Sequence, residues 1–171
     1  MPQTQSSTAK RPADQPAVQT FRLSSAAFAD GAKIPPRHTA DGENVSPHLS
    51  WNGAPAETES FALLCEDLDS RSGNFAHWLA WDIDPSRREL NEDVPASAEK
   101  SHGIRQGENG FGQTGYGGPK PPPGTPHRYV FRLWALDTLL GLQNGTSRHE
   151  LERAVEGHVL AEARLTGTYG R

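Results

Sequence analysis

Residues 107–124, Gly-Glu-Asn-Gly-Phe-Gly-Gln-Thr-Gly-Tyr-Gly-Gly-Pro-Lys-Pro-Pro-Pro-Gly, constrain this chain more than any other stretch. Seven glycines and four prolines in eighteen residues rule out a helix and interrupt any strand, because proline lacks an N–H and glycine loses the most entropy on ordering. The pattern extends beyond the loop: 17 Gly and 14 Pro in 171 residues predict many turns joining short elements. The loop reads either as a crossover between sheets or as the wall of a binding site, glycines letting N–H groups approach a ligand and prolines stiffening the approach. It leads into His127-Arg128-Tyr129, where His127 and Tyr129, two apart at a strand start, point to one face.

A chain of this length is one domain. Residues 1–17, rich in Gln, Ser, Thr, Pro and Ala, cannot offset their ordering entropy and are predicted to form a disordered tail before a domain over 18–171. With Lys plus Arg at 17 against 21 Asp plus Glu, the net charge is −4 and neither sign gathers into a run, which argues against a nucleic-acid partner. Cys65 is the single cysteine and Met1–Thr20 holds no apolar core for a signal peptide, so a cytoplasmic location is expected. No apolar run approaches the roughly 18 residues of a membrane-spanning helix, so no membrane insertion is expected.

Strand signals recur. Ser60–Asp67 is an apolar run ending in two acids, and Phe75–Ile83 places Phe75, His77, Leu79, Trp81 and Ile83 on one face by period two. His127–Asp137 is aromatic and branched, and Val159, Ala161, Ala163 and Leu165 alternate with polar residues. Shorter strands are expected at 19–23 and 49–51. Ser147 with Glu150 forms a capping box ahead of Leu151, Ala154 and Val155, and Gly157 stops the helix. One or two short helices among such strands predict an all-β fold, an antiparallel sandwich with Greek-key connections.

A second polar cluster, Asp67-Leu68-Asp69, ends the Ser60 strand, and His77 lies on the next. Loop aspartates are commonly turn formers, and a histidine among apolar residues serves as a core residue or a ligand group. Taken together, Asp67-x-Asp69, His77-Trp78, Gly112 to Gly118 with Tyr116, Gly118-Pro119-x-Pro121-Pro122-x-Gly124 and His127-Arg128-Tyr129 resemble, in order and spacing, the two signature regions of the phosphatidylethanolamine-binding (Raf kinase inhibitor-like) proteins. Ser46-Pro47-x-Leu49-x-Trp51, Ser60-Phe61-Ala62-Leu63, Trp134-Ala135-Leu136-Asp137 and Gly157 to Tyr169 resemble the family's bacterial YbhB/YbcL-type branch. The likeness covers nearly the whole chain past residue 20.

The resemblance implies a β-sandwich with one small pocket for phosphate, phosphorylethanolamine-like or acetate-like anions. It implies Asp67, His77, His127 and Tyr129 as pocket wall, with Tyr116, Gly117, Gly118 and Pro119 contributing loop backbone and Asp69 shaping its loop. Imidazole and loop N–H groups and a phenol O–H suit anionic oxygens. Asp67 would repel a lone anion, so it orients a histidine or meets the ammonium of a zwitterion. Leu68 and Arg71 stand where the family usually has prolines, and Lys120 where the bacterial loop commonly has cysteine. Function is expected to be a binding or regulatory module, akin to a kinase or protease inhibitor, with a small anionic ligand, a possible protein target, a possible homodimer and no cofactor or metal. The alternative is a phosphate-ester hydrolase run by the same His, Asp and Tyr groups. A metal site of His77, His127 and Asp67 is chemically allowed.

Overall fold

The computed structural model describes residues 20–97 and 103–171; the expected disordered tail lies outside them. Among these residues eight strands form two antiparallel sheets, accompanied by one α-helix. β1 (Arg22–Ser24), β2 (Leu49–Asn52) and β5 (Glu89–Leu90) make a small sheet in the order β1-β2-β5. The larger sheet runs β6-β4-β3-β7-β8, from β3 (Ser60–Asp67), β4 (Phe75–Ile83), β6 (Arg105–Gln106), β7 (His127–Leu136) and β8 (Val159–Tyr169). β7 returns past β4 and β6 to pair with β3, the return connection of a Greek key. That return is the Gly/Pro-rich segment.

The large sheet is covered on both faces. Leu23, Leu49, Trp51 and Leu90 of the small sheet pack on Phe61, Leu63, Cys65, Trp78, Phe131 and Leu133. On the other face Ala62, Leu64, Leu79, Trp81, Trp134 and Leu136 pack under Leu151 and Val155 of α1 (Arg148–Val155). This explains the unbroken apolar run Phe61–Cys65 inside a strand whose every residue is buried: β3 is central and has no solvent face. β8, at the sheet edge, keeps the period-two alternation, with Ala163, Leu165 and Tyr169 buried. The Ser147 side chain accepts from the Glu150 N–H and Glu150 answers to the Ser147 N–H, so the capping box forms. Leu151 and Val155 are buried, and Gly157 beyond them takes φ 80°.

β4 departs from the single face its alternation suggests. Opposite β3, one extra β4 residue enters between the pairs Phe61↔Ile83 and Leu63↔Ala80, and another between Cys65↔Trp78 and Glu66↔Ala76. Each bulge turns the strand over. Leu79 and Trp81 therefore face α1, whereas Trp78 and Ile83 face the small sheet. The first bulge contains Asp82, at φ 51°, whose carboxylate accepts from the N–H groups of Leu140 and Gly141. The second contains His77.

Candidate functional site

Register brings the site together at one end of the large sheet. Asp67, the last residue of β3, pairs with Phe75 on β4 and with Tyr129 on β7, so the three share a face, and His127 joins them two residues from Tyr129. The bulge in β4 adds His77, whose ring meets Tyr129 edge-on at 5.2 Å and Phe75 at 5.1 Å between centroids. Asp67, His77 and His127 line a pocket of about 340 Å³ together with Ser70, Arg71, Ser72, Phe75, Phe111, Lys120, Pro121 and Pro122.

Hydrogen bonding fixes both imidazoles. The Nδ1 of His77 lies 2.6 Å from the carbonyl oxygen of Gly117; a carbonyl only accepts, so Nδ1 carries the proton and Nε2 is left over. His127 Nδ1 lies 2.7 Å from Asp67 Oδ2, and the same logic leaves its Nε2 for a ligand. His77 is 3% exposed, and burial holds its pKa below the ordinary imidazole value. Asp67 thus orients a histidine. Its other oxygen accepts from the Asp69 N–H at 2.8 Å, leaving neither oxygen idle.

Tyr129 lies behind the two imidazoles, its ring also stacked on His127 at 6.5 Å. It is 1% exposed, and its hydroxyl makes no hydrogen bond of good geometry among the described residues, the Asp67 carboxylate being the polar group beside it. Burial, and then Asp67, push its pKa up, so the phenol stays a protonated donor. A buried unpaired O–H is costly unless a ligand or water satisfies it.

Hydrogen bonds tie down the start of the 67–73 loop, where Leu68 replaces the family's proline ring. Asp67 caps the Asp69 N–H, Leu68 donates to the Arg128 carbonyl, and Asp69 takes three hydrogen bonds from Arg128, from its backbone N–H and its guanidinium. Those bonds hold the Asp69 carboxyl below its usual range. On the opposite face Arg148, the first residue of α1, ties the Asn74 carbonyl to the buried Glu66.

Tyr116, Gly117, Gly118 and Pro119 stand behind the pocket rather than in its lining. Tyr116 donates to the His38 carbonyl and packs on Trp78. The N–H groups of Gly117 and Gly118 are spent on the His77 carbonyl and on Asn44 Oδ1, and the Pro119 carbonyl accepts from Ala40. The glycines serve close packing instead: a Cβ on Gly117 would sit 2.6 Å from the Phe111 ring, and one on Gly118 2.5 Å from the His38 carbonyl. The lining comes from the following residues, Lys120 to Pro122, and from Phe111, whose only advance signal was its place inside the glycine run.

Cys65 is buried, and burial pushes its thiol well above the ordinary range. Among the described residues, no group of three His, Cys, Asp or Glu side chains is arranged to hold a metal ion, and no helix is long and apolar enough to cross a membrane.

A family model described as phosphatidylethanolamine-binding protein matches residues 24–170. A UPF0098 protein of Methanothermobacter thermautotrophicus is 49% identical over 151 residues, covering 88% of this chain and 99% of the relative. The UPF0098 protein YbhB of Escherichia coli is 35% identical over 157 residues, covering 87% and 99%. Among solved structures, a phosphatidylethanolamine-binding protein homolog of Chlamydia trachomatis matches with TM-score 0.82 at 34% identity over 90% of this chain and 99% of that one. Escherichia coli YbcL matches with TM-score 0.83 at 30% identity over 88% and 98%. The relatives are archaeal as well as bacterial, so the branch is wider than the bacterial one that the motifs resemble.

Proposed function

The chain belongs to the phosphatidylethanolamine-binding protein family, and from that premise we propose that it binds a small anionic, phosphate-bearing ligand in the Asp67–His77–His127 pocket and acts as a regulatory binding module. One observation carries the reading: the pocket's imidazoles have their Nδ1 protons committed, and among the described residues the one unpaired buried donor beside them is the Tyr129 hydroxyl. An oxyanion satisfies that donor. It also favours a second proton on the His77 ring, at Nε2, where a charge-assisted hydrogen bond forms. Binding rather than turnover is supported by the state of Cys65, the one thiol near the site, which is buried and held as a thiol.

Titration calorimetry with inorganic phosphate tests this. Affinity should rise as pH falls from 8 to 6.5, and His127→Ala should lose on the order of 1.5 to 3 kcal/mol, the worth of a hydrogen bond to a charged group. Equal phosphate affinity in wild type and His127→Ala would place the anion elsewhere. A chromogenic phosphate monoester incubated with the protein should release no product above buffer.

A further inference from the structure

Five ionisable side chains line the pocket: Asp67, Arg71, His77, Lys120 and His127. Both oxygens of Asp67 already accept hydrogen bonds, one from the Asp69 N–H and the other from His127 Nδ1. The neighbouring acids are spent too. Asp69 is held by the Arg128 guanidinium, and Asp41, whose carboxylate feels the charge of Lys120, is held by Arg171 and the Tyr169 hydroxyl. Arg71 and Lys120 are left: both are exposed, and neither makes a hydrogen bond or salt bridge among the described residues.

We propose that Arg71 and Lys120 form a second, cationic subsite at the pocket mouth, selecting ligands with two anionic groups on a short linker over zwitterions that pair phosphate with ammonium. This rests on the anion-binding reading above and adds the substrate class to it. The pocket has two chemically different zones. Inside are the buried His77 ring, the half-buried His127 ring and the Tyr129 hydroxyl, which bind one oxyanion by hydrogen bonds; outside are two exposed cations, which act through charge. Phe75, Phe111, Pro121 and Pro122, with Ser70 and Ser72, complete the lining, and the apolar walls keep water from screening the cations fully. The pocket's 340 Å³ amounts to about ten water-sized groups, room for an oxyanion and a further group. Asp67, the one carboxylate in the lining, already accepts on both oxygens, and an ammonium at the mouth would meet the charges of Arg71 and Lys120.

Phosphoglycolate and phosphorylethanolamine test the idea, being close in size with a carboxylate in one where the other has an ammonium. Calorimetry at pH 7 and low ionic strength would compare their affinities in wild type, in an Arg71→Gln/Lys120→Gln double variant and in a charge-reversed Arg71→Glu/Lys120→Glu variant. Each partly screened cation is worth about threefold to fivefold at contact. Phosphoglycolate should therefore bind wild type at least about tenfold tighter than phosphorylethanolamine, with the ratio falling to about one to three in the Gln variant and inverting in the Glu variant. Reading a ratio cancels any general weakening of the pocket. A wild-type ratio at or below one, or one unchanged in the Gln variant, overturns the second subsite. If inorganic phosphate binds and is lost in His127→Ala, that failure belongs to the subsite alone. If phosphate does not bind at all, the anion-binding reading falls with it.

Discussion

His77 shows how one residue couples stability and binding to pH. Its ring is buried, its Nδ1–H is given to Gly117, and its pKa is depressed by burial. The unfolded chain takes up that proton near pH 6.5, whereas the ligand-free fold takes it up only at lower pH. The stability linked to His77 is therefore fully present above about pH 6.5 and lost as pH falls through the folded value. Urea midpoints of the ligand-free protein should drop over that window, and His77→Gln should flatten this part of the profile. Phosphate should reverse the trend, since it favours the charged ring. Tyr129→Phe should separate the two roles of its hydroxyl. Removing an unpaired buried O–H should leave the ligand-free melting temperature equal or higher, while phosphate affinity falls about tenfold, the worth of one hydrogen bond. A large loss of melting temperature would mean that the hydroxyl is satisfied within the fold. Asp67, His77, His127 and Tyr129 were legible because motif spacing and strand period act on neighbours in sequence. The loop residues were not. Tyr116 to Pro119 looked like pocket backbone, yet their N–H, O–H and C=O groups are taken by His38, Ala40, Asn44 and His77, partners far away in sequence.

Among elements, β4 carries the main lesson. Its composition announced a strand, but two bulges turned its apolar residues to alternating sides, and a bulge arises from pairing with β3 rather than from β4 alone. Without the inner bulge His77 and Trp78 would lie on opposite faces. β5 and β6, two residues each, carry too few positions for any period to register. α1 was legible because a capping box is a local signal. Its contributions should separate by position: Ser147→Ala should cost about 1 kcal/mol as a lost cap, and Leu151→Ala about 2 to 5 kcal/mol as a cavity under the sheet. Chemical denaturation of both variants checks the order. Similar losses would mean that the helix does not pack as a unit with the sheet.

For the whole molecule, binding should act as mass action on folding. Phosphate at about a hundred times its dissociation constant should add about 2.7 kcal/mol, which for a chain of this size is about 5 to 10 °C in melting temperature. The shift should be larger at pH 6.5 than at pH 8, and scanning calorimetry in matched buffers reads both. A shift that is the same at both values would remove the histidines from the site.

The burial of β3 on both faces has a consequence for how the chain reaches this fold. In most strands one buried face fixes the pairing, because a one-residue slip exposes the apolar set. β3 lacks that safeguard over its apolar part: Leu63 and Leu64 are alike in character, so a slipped strand would still look acceptable there, and only Glu66 and Asp67, with their separate partners on opposite faces, would object at its end. What distinguishes the faces is size at one step. Phe61 fills the space beside Phe21 and Trp51, while Ala62 sits opposite Trp134, where little room remains. The Phe61/Ala62 contrast is thus the chain's alignment mark. Ala62→Leu should erase it and convert part of the refolding population into a slow, mispaired fraction.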